Sequence, residues 1–278
     1  MAVATRIMRF GARLLLAVSA TASTLVAQSG TTAPSAAPTT PARDAALHAP
    51  FDRLLRAHVR NGRVDYDAFA RAPEFPRYLA SLDSTTVTGL SEDERLAYWI
   101  NAYNAYTIRL IISHRERESI RNINRTLGFL QLKGPWSEPI VKAGGQVYSL
   151  DQVLHRILRR EFHEPRVHFA IVPAASSAPP LRSEAYVGSR LGEQLEDQTR
   201  RFLGDTTKTW SRNGVLGLNR LFEAYERDFG STRKEMILFV APYLTLRPNE
   251  PQKKGLQEGW ALLNYRVYDW SLNIIKRS

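Results

Sequence analysis

The feature that most constrains the fold is a long helical segment that is apolar on almost every face. The segment LAYWINAYNAYTIRLII occupies residues 96–112. Ser91, followed three residues later by Glu94, has the spacing of a capping box, which predicts that the helix begins there. A helix without a polar face is buried in the core of a protein or a membrane. We therefore expect the rest of the chain to pack around this helix.

The remaining patterns predict a helix-rich α+β domain. Hairpin signals lie at Ala143-Gly144-Gly145 and at Asn213-Gly214. The apolar run from Val167 to Val172 predicts a short buried strand. Helical patterns occupy Phe51–Arg60, 150–160, 191–203, 221–228 and 231–241. Since strands and helices do not alternate regularly, we expect a single domain with a small, mostly antiparallel sheet rather than a doubly wound fold.

The N-terminus has the pattern of a secretory signal peptide. Three arginines in the first 13 residues precede a short apolar run, Leu14 to Val26, and the small residue Ala27. We predict a signal peptide at 1–27, cleaved near Ala27, and an exported, periplasmic or extracellular protein. An uncleaved anchor is the alternative. The Ser, Thr, Ala and Pro-rich stretch 28–46 predicts a disordered tether, and 47–278 a single globular domain.

Composition limits the chemistry and the partners. The chain has no cysteine, so an exported form has no disulfide to rely on. Lys and Arg number 38 against 27 acidic residues; without the three arginines of the signal peptide, 35 remain against 27. The excess is scattered and lacks interleaved aromatic residues, which argues against nucleic-acid binding. It is compatible with an anionic envelope polymer or lipid surface. We expect no transmembrane helix in the mature chain.

His155 is the first candidate for chemistry. Asp151 precedes it by four residues on the same predicted helix. A carboxylate in that position can fix the tautomer of an imidazole and hold its charged form. The pair would then act as a general base. A plain contact on the helix surface explains the same spacing.

His168 and Ser176 are the next candidates. His168 shares a face of the predicted strand with small residues, which suits either a site or a satisfied core histidine. Ser176 could act as a nucleophile activated by one of the histidines, although no nucleophile-elbow motif surrounds it. Two histidines are too few for a tight zinc site, and we expect no metal and no cofactor.

Four polar residues are candidates for binding. Asn101 and Asn104 lie on one face of the apolar helix, where they either bond a neighbouring backbone segment or orient a histidine or ligand. Arg182 and Glu184 follow a double proline. They either pair with each other or bind a carboxylate substrate.

The sequence resembles the domain-of-unknown-function 547 family over roughly residues 51–273, which is most of the predicted mature chain. The motifs that carry this resemblance occur in the family's order. They are NGRVDY (61–66), AYWINAYNAYTI (97–108), GPW (134–136), SLDQVLHRILR (149–159), RVHFAIV (166–172), PPLRSEAY (179–186) and YDWSLN (268–273).

The same resemblance shows where this chain departs from the family. The family's helix reads Glu-His where this chain has Leu154 before His155. Its two cysteines correspond to Pro173 and Ala178, and a tryptophan corresponds to Ala224. A Glu, a His and a thiol would form a cysteine-nucleophile or metal site, and this chain lacks the acid and both thiols.

These departures lead to our expectation for function. We predict an exported, non-catalytic or degenerate family member that retains a binding cleft. The alternative is a hydrolase or transferase with Asp151–His155 as base and a serine or water as nucleophile. A third hypothesis is a basic module that attaches to anionic envelope polymers.

Overall fold

The apolar helix lies at the centre of the fold. In the computed structural model, which describes residues 43–124, 134–244 and 252–276, this helix runs from Glu92 to Ser113. From Leu96 to Ile111, every residue except Arg109 is buried. Ser91 and Glu94 form the predicted capping box. The sequence prediction of a central buried helix is therefore confirmed.

Shorter elements precede and follow the central helix. The N-terminal ones pack against it or against each other: α1 (Arg43–His58), β1 (Val59–Arg60), β2 (Arg63–Val64), α2 (Tyr66–Arg71) and α3 (Glu74–Ser84) precede the central helix, α4 (Glu92–Ser113). After it come β3 (Val141–Ala143), β4 (Gln146–Tyr148), α5 (Leu150–Gln152), a π-helical turn (Val153–Leu158), α6 (Arg159–Glu161), α7 (Val167–Ala170) and α8 (Leu191–Leu203). The last ones are β5 (Trp210–Arg212), β6 (Val215–Leu218), α9 (Arg220–Ala224), α10 (Arg233–Val240), α11 (Gln252–Gln257) and β7 (Leu262–Tyr265).

The strands form three small sheets. β1 pairs with β2, β3 with β4, and β5 with β6, all antiparallel, while β7 joins β6 in parallel. The hairpins at 143–145 and at Asn213-Gly214 form as predicted. The helix-rich α+β class with a mostly antiparallel arrangement of strands is confirmed, although the strands lie in three sheets rather than one.

Two hydrophobic clusters fill the described part of the chain. The larger one contains α4 and the residues that surround it. The second lies in the C-terminal third and includes Phe169, Phe202, Phe222 and Phe229. Phe169 belongs to α7, so this short helix places His168 beside the second cluster.

The strand predicted at Val167 to Val172 is wrong. Residues Val167–Ala170 form one helical turn, and the chain becomes extended only at Ile171. The backbone N–H groups of Val167, His168 and Phe169 donate to carbonyl oxygens three residues earlier. No strand of the described residues lies alongside to form a ladder. Local helical hydrogen bonds therefore prevail over the β-propensity of the apolar run.

The N-terminus differs from the prediction at one boundary. The predicted signal peptide and most of the predicted tether lie outside the described residues. The last four positions of the predicted tether, 43–46, belong to α1. Asp44 is fully buried, and its Oδ2 accepts a hydrogen bond from the N–H of Gly188 at 2.5 Å. Among the described residues, no helix is long and apolar enough to cross a membrane.

Candidate functional site

His168 is bound to an acid that is distant in sequence. Its side chain is about 1% exposed, and its Nε2 lies 2.6 Å from Oδ2 of Asp228. Since a carboxylate can only accept, Nε2 carries the proton. Arg159 donates to the same carboxylate from Nε at 2.5 Å and from Nη2 at 2.7 Å. Asp228 thus accepts a two-bond contact from the guanidinium and a third bond from the imidazole.

The charges of this network follow from its partners. Burial opposes the ionisation of Asp228, yet the hydrogen bonds from Arg159 and His168 hold its pKa well below the usual range. Burial lowers the pKa of His168, and the hydrogen bond to Asp228 offsets this only in part. At neutral pH we therefore assign an anionic Asp228, a cationic Arg159 and a neutral His168.

Tyr225 brings the second histidine to the same place. Its ring stacks on His168 with centroids 4.3 Å apart, and it lies 6.2 Å from the ring of His155. The guanidinium carbon of Arg159 is 5.1 Å from the same ring. We call His155, Arg159, His168, Tyr225 and Asp228 the Tyr225 cluster.

His155 lies in the π-helical turn. Arg159 Nη1 donates to its Nδ1 at 2.9 Å, which leaves the ring proton on Nε2. Burial and the neighbouring guanidinium lower the pKa of His155. The carboxylate of Asp151, meanwhile, accepts from Ser137 Oγ at 2.8 Å. The carboxylate thus bonds Ser137, and the expected hydrogen bond between Asp151 and His155 is absent among the described contacts.

A cavity lies beside the Tyr225 cluster. Its volume is about 180 Å³, and Arg159, His168 and Asp228 contribute to its wall. The cavity contains the charged side of the network, but every oxygen of Asp228 that faces it is already hydrogen-bonded to the protein. The geometry resembles a structural ion-pair network more than an available acid–base pair.

Ser176 is held by a different part of the chain. Its Oγ lies 2.9 Å from Oγ of Ser271, and its N–H donates to the carbonyl oxygen of the same residue at 2.7 Å. The neighbouring Ser177 Oγ accepts from the N–H of Asp269. The small-residue loop is therefore fixed to the C-terminal segment, and the hydroxyl of Ser176 bonds a serine, not a histidine.

A second cavity borders this loop. Its volume is about 220 Å³, and Ser176, Arg63, Asp205 and Lys208 contribute polar groups to its wall. Lys208 Nζ donates to the carbonyl oxygen of Ala178 at 2.6 Å, and burial lowers the pKa of its amine. We call this space the loop cavity.

Comparison with known proteins agrees with the sequence motifs that lie between residues 97 and 186, whereas NGRVDY (61–66) and YDWSLN (268–273) lie outside the matched region. Residues 87–203 match the family described as "Protein of unknown function, DUF547". This region is a DUF547 domain. No curated protein and no solved structure matches the chain. The domain includes α4, both histidines and the 173–178 loop, whereas Tyr225 and Asp228 lie beyond its C-terminal limit.

The two asparagines of α4, Asn101 and Asn104, bind backbone groups. Asn101 donates to the carbonyl oxygen of Tyr186 at 2.8 Å and accepts from its N–H at 3.0 Å. Asn104 donates to the carbonyl oxygen of Ala170 and accepts from the N–H of Val172, both at 2.9 Å. Each amide thus pairs with an extended segment as a neighbouring strand would, and α4 holds both segments in place.

Arg182 and Glu184 form part of an ion-pair network. Arg182 Nε donates to Oε1 of Glu184 at 2.7 Å, and its Nη1 donates to Asp197. Arg56 and Arg190 also contact Glu184. With both groups paired inside the protein, the geometry favours the internal ion pair over a clamp for a substrate carboxylate.

Two of the three positions at which this DUF547 domain lacks reactive groups have packing roles. Leu154 and Ala178 are buried in the larger hydrophobic cluster, and Pro173 precedes Ala174, whose φ is +55°. Sequence reasoning did not find Arg159, Tyr225 or Asp228. No spacing pattern links them to His168, since Asp228 lies 60 residues away.

Proposed function

We propose that this protein is an exported, non-catalytic member of the DUF547 group that retains the loop cavity as a binding cleft for a small polar ligand. The observation that carries the proposal is the separation of the potential nucleophile from the potential bases. Ser176 Oγ bonds Ser271, whereas both imidazoles lie against Tyr225. A general base must reach its proton at about 3 Å.

The state of each histidine also supports the absence of catalysis. The Nε2–H group of His168 donates its hydrogen bond to Asp228, and the Nδ1 lone pair of His155 accepts a hydrogen bond from Arg159. Leu154, Pro173 and Ala178 cannot bind a proton, a metal or an electrophile. The loop cavity, in contrast, has two cationic side chains, a carboxylate and hydroxyl groups in its wall, which suits binding of a polar molecule.

The alternative, a hydrolase or transferase, is tested directly. The protein is incubated with a fluorophosphonate probe, and hydrolysis of p-nitrophenyl acetate is followed for the wild type, Ser176→Ala and His155→Ala. We expect no labelling at Ser176 and equal hydrolysis rates for all three proteins. Labelling that Ser176→Ala removes, or a rate at least tenfold lower in His155→Ala with an intact fold, would establish the catalytic alternative.

Export is tested separately. The full-length chain is expressed in a Gram-negative host, and the protein is recovered from cytoplasmic, periplasmic and medium fractions. The proposal expects the mature protein outside the cytoplasm with Gln28 as its first residue. A cytoplasmic product that retains Met1 would contradict export, and a membrane-bound product that retains residues 1–27 would indicate the uncleaved anchor.

A further inference from the structure

The C-terminal part of the chain carries an exposed indole, that of Trp260. Trp260 is 63% exposed, yet three contacts fix its position. Its Nε1 donates to Oε2 of Glu258 at 3.0 Å, and its backbone N–H donates to the carbonyl oxygen of Gly255 at 2.9 Å. A Cβ at Gly255 would lie 3.4 Å from two atoms of the indole. One side of the ring therefore packs on the glycine backbone, which leaves the other side open.

A cavity of about 450 Å³ lies beside the indole. Leu256 and Ala261 add apolar surface to its wall, while Ser211 and Asn213 add a hydroxyl and a carboxamide. Asn213 belongs to the turn between β5 and β6, where its φ is +52° and that of Gly214 is +76°. The cavity thus combines an aromatic face with a few polar groups, the usual composition of a small-molecule site.

The charges around the cavity select the class of ligand. Lys254 and Glu258 contribute to its wall and lie 3.8 Å from each other. Their charges compensate, so the wall offers no excess charge to a phosphate, a carboxylate or an ammonium group. The donors and acceptors that remain suit hydroxyl groups.

We propose that this cavity, the Trp260 site, binds a neutral saccharide. One sugar ring stacks its C–H face on the open side of the indole, and its hydroxyls bond Ser211 and Asn213. An indole held in place before binding loses little conformational freedom on binding, which favours affinity. The Trp260 site shares no wall residue with the loop cavity, so it goes beyond the function proposed above and does not depend on it.

The test uses the full-length protein on an array of neutral and charged oligosaccharides, followed by native electrophoresis in gels that contain the soluble polysaccharides of the bound series. We expect binding to at least one neutral series and little change at high salt, since the contacts are uncharged. Trp260→Ala should weaken binding at least tenfold, and Trp260→Phe a few-fold, because a smaller ring still stacks. Glu258→Ala, which releases the indole, should also weaken binding a few-fold.

Val147→Ala is the matched control, because Val147 is 56% exposed in the separate β3–β4 hairpin; it should bind like the wild type. Circular dichroism and melting temperatures establish that each variant folds. The inference is overturned if the wild type binds no neutral glycan, if it binds only charged glycans, or if folded Trp260→Ala binds as tightly as the wild type. None of these outcomes bears on catalysis or on the loop cavity.

Discussion

His168 and Asp228 join two parts of the chain through a 2.6 Å hydrogen bond between Nε2 and Oδ2. His168 lies in the DUF547 domain, and Asp228 lies 25 residues beyond its end at residue 203. Arg159, also in the domain, donates two more bonds to the same carboxylate. The C-terminal third of the chain therefore supplies the counter-charge for Arg159 and the hydrogen-bond acceptor for His168 inside the domain.

Asp228→Ala should lower the free energy of unfolding by about 2 kcal/mol. Loss of one partner from a fully buried pair costs about 3–5 kcal/mol, and the partial exposure of Arg159 and Asp228, 28% and 20%, reduces that cost. Urea unfolding measures it. Glu223→Ala is the control, since it removes an exposed pair with Arg220 and should cost less than about 1 kcal/mol. Equal losses in the two variants would show that the Tyr225 cluster contributes no special stability.

Asn104→Ala should destabilise the protein by about 2–4 kcal/mol. The variant leaves the carbonyl oxygen of Ala170 and the N–H of Val172 without partners in a buried place, and each buried unsatisfied group costs about 1–3 kcal/mol. Asn104→Asp should be no better, because a carboxylate still accepts from Val172 but cannot donate to Ala170. Chemical denaturation checks both variants. Asn122→Ala, which removes one 3.3 Å bond to Glu116, serves as control. A loss of stability as large as that of Asn104→Ala would refute the role of Asn104 in holding residues 170–172.

The parts of the fold that depend on neighbouring residues could be predicted from the sequence. The capping boxes at Ser91 and Ser149 and the turn at Asn213-Gly214 involve side chains or glycines a few residues apart. The segment at Val167 shows the limit of this reasoning. Its apolar pattern suits a strand, but a strand needs a neighbour, and the groups that bond residues 170–172 come from Asn104, 66 residues away in sequence.

The candidate site shows the same limit. Both histidines could be singled out by their surroundings in the sequence, but their shared neighbour Tyr225 could not. The sequence predicts that Asp151 orients His155, but the Asp151 carboxylate bonds Ser137, and Arg159 contacts the imidazole instead. The partners of Ser176 also lie far away, at 271. Long-range packing therefore decides which candidate groups meet, and the local sequence does not encode it.

His48 should make stability depend on pH. Its Nδ1 contacts the hydroxyl of Tyr78 at 2.8 Å, its Nε2 has no partner among the described residues, and burial lowers its pKa to about 3. The unfolded state, with a pKa near 6.5, then binds more protons between pH 6.5 and 3. The contribution of neutral, buried His48 to stability is complete above pH 6.5. Between pH 6.5 and 3 the free energy of unfolding falls by about 1.4 kcal/mol for each unit of acidification.

Urea midpoints measured between pH 7 and pH 4 test this expectation. His48→Phe keeps the size of the ring and removes the titrating group, so its stability should fall less steeply with acid than that of the wild type. The difference between the two curves isolates His48 from the other titrating groups. Parallel curves would mean that the folded and unfolded states protonate His48 to the same extent across this range, which would contradict the prediction.

Gly62→Ala should be far more destabilising than Gly145→Ala, although the two glycines have nearly the same φ, +76° and +73°. A Cβ at Gly62 would lie 2.4 Å from Cβ and 2.7 Å from Cα of Pro180, whereas a Cβ at Gly145 would meet nothing within 4 Å. The strain of a positive φ, about 1 kcal/mol for alanine, is common to both. The additional loss of stability in Gly62→Ala therefore measures the close contact between the β1–β2 turn and the proline segment beside the loop cavity.

We expect the free energies of unfolding of Gly62→Ala and Gly145→Ala, measured in urea, to differ by at least about 2 kcal/mol, in the range of overpacked sites. Equal losses would show that the turn moves away from Pro180 at little cost and that the wall of the loop cavity is not rigid.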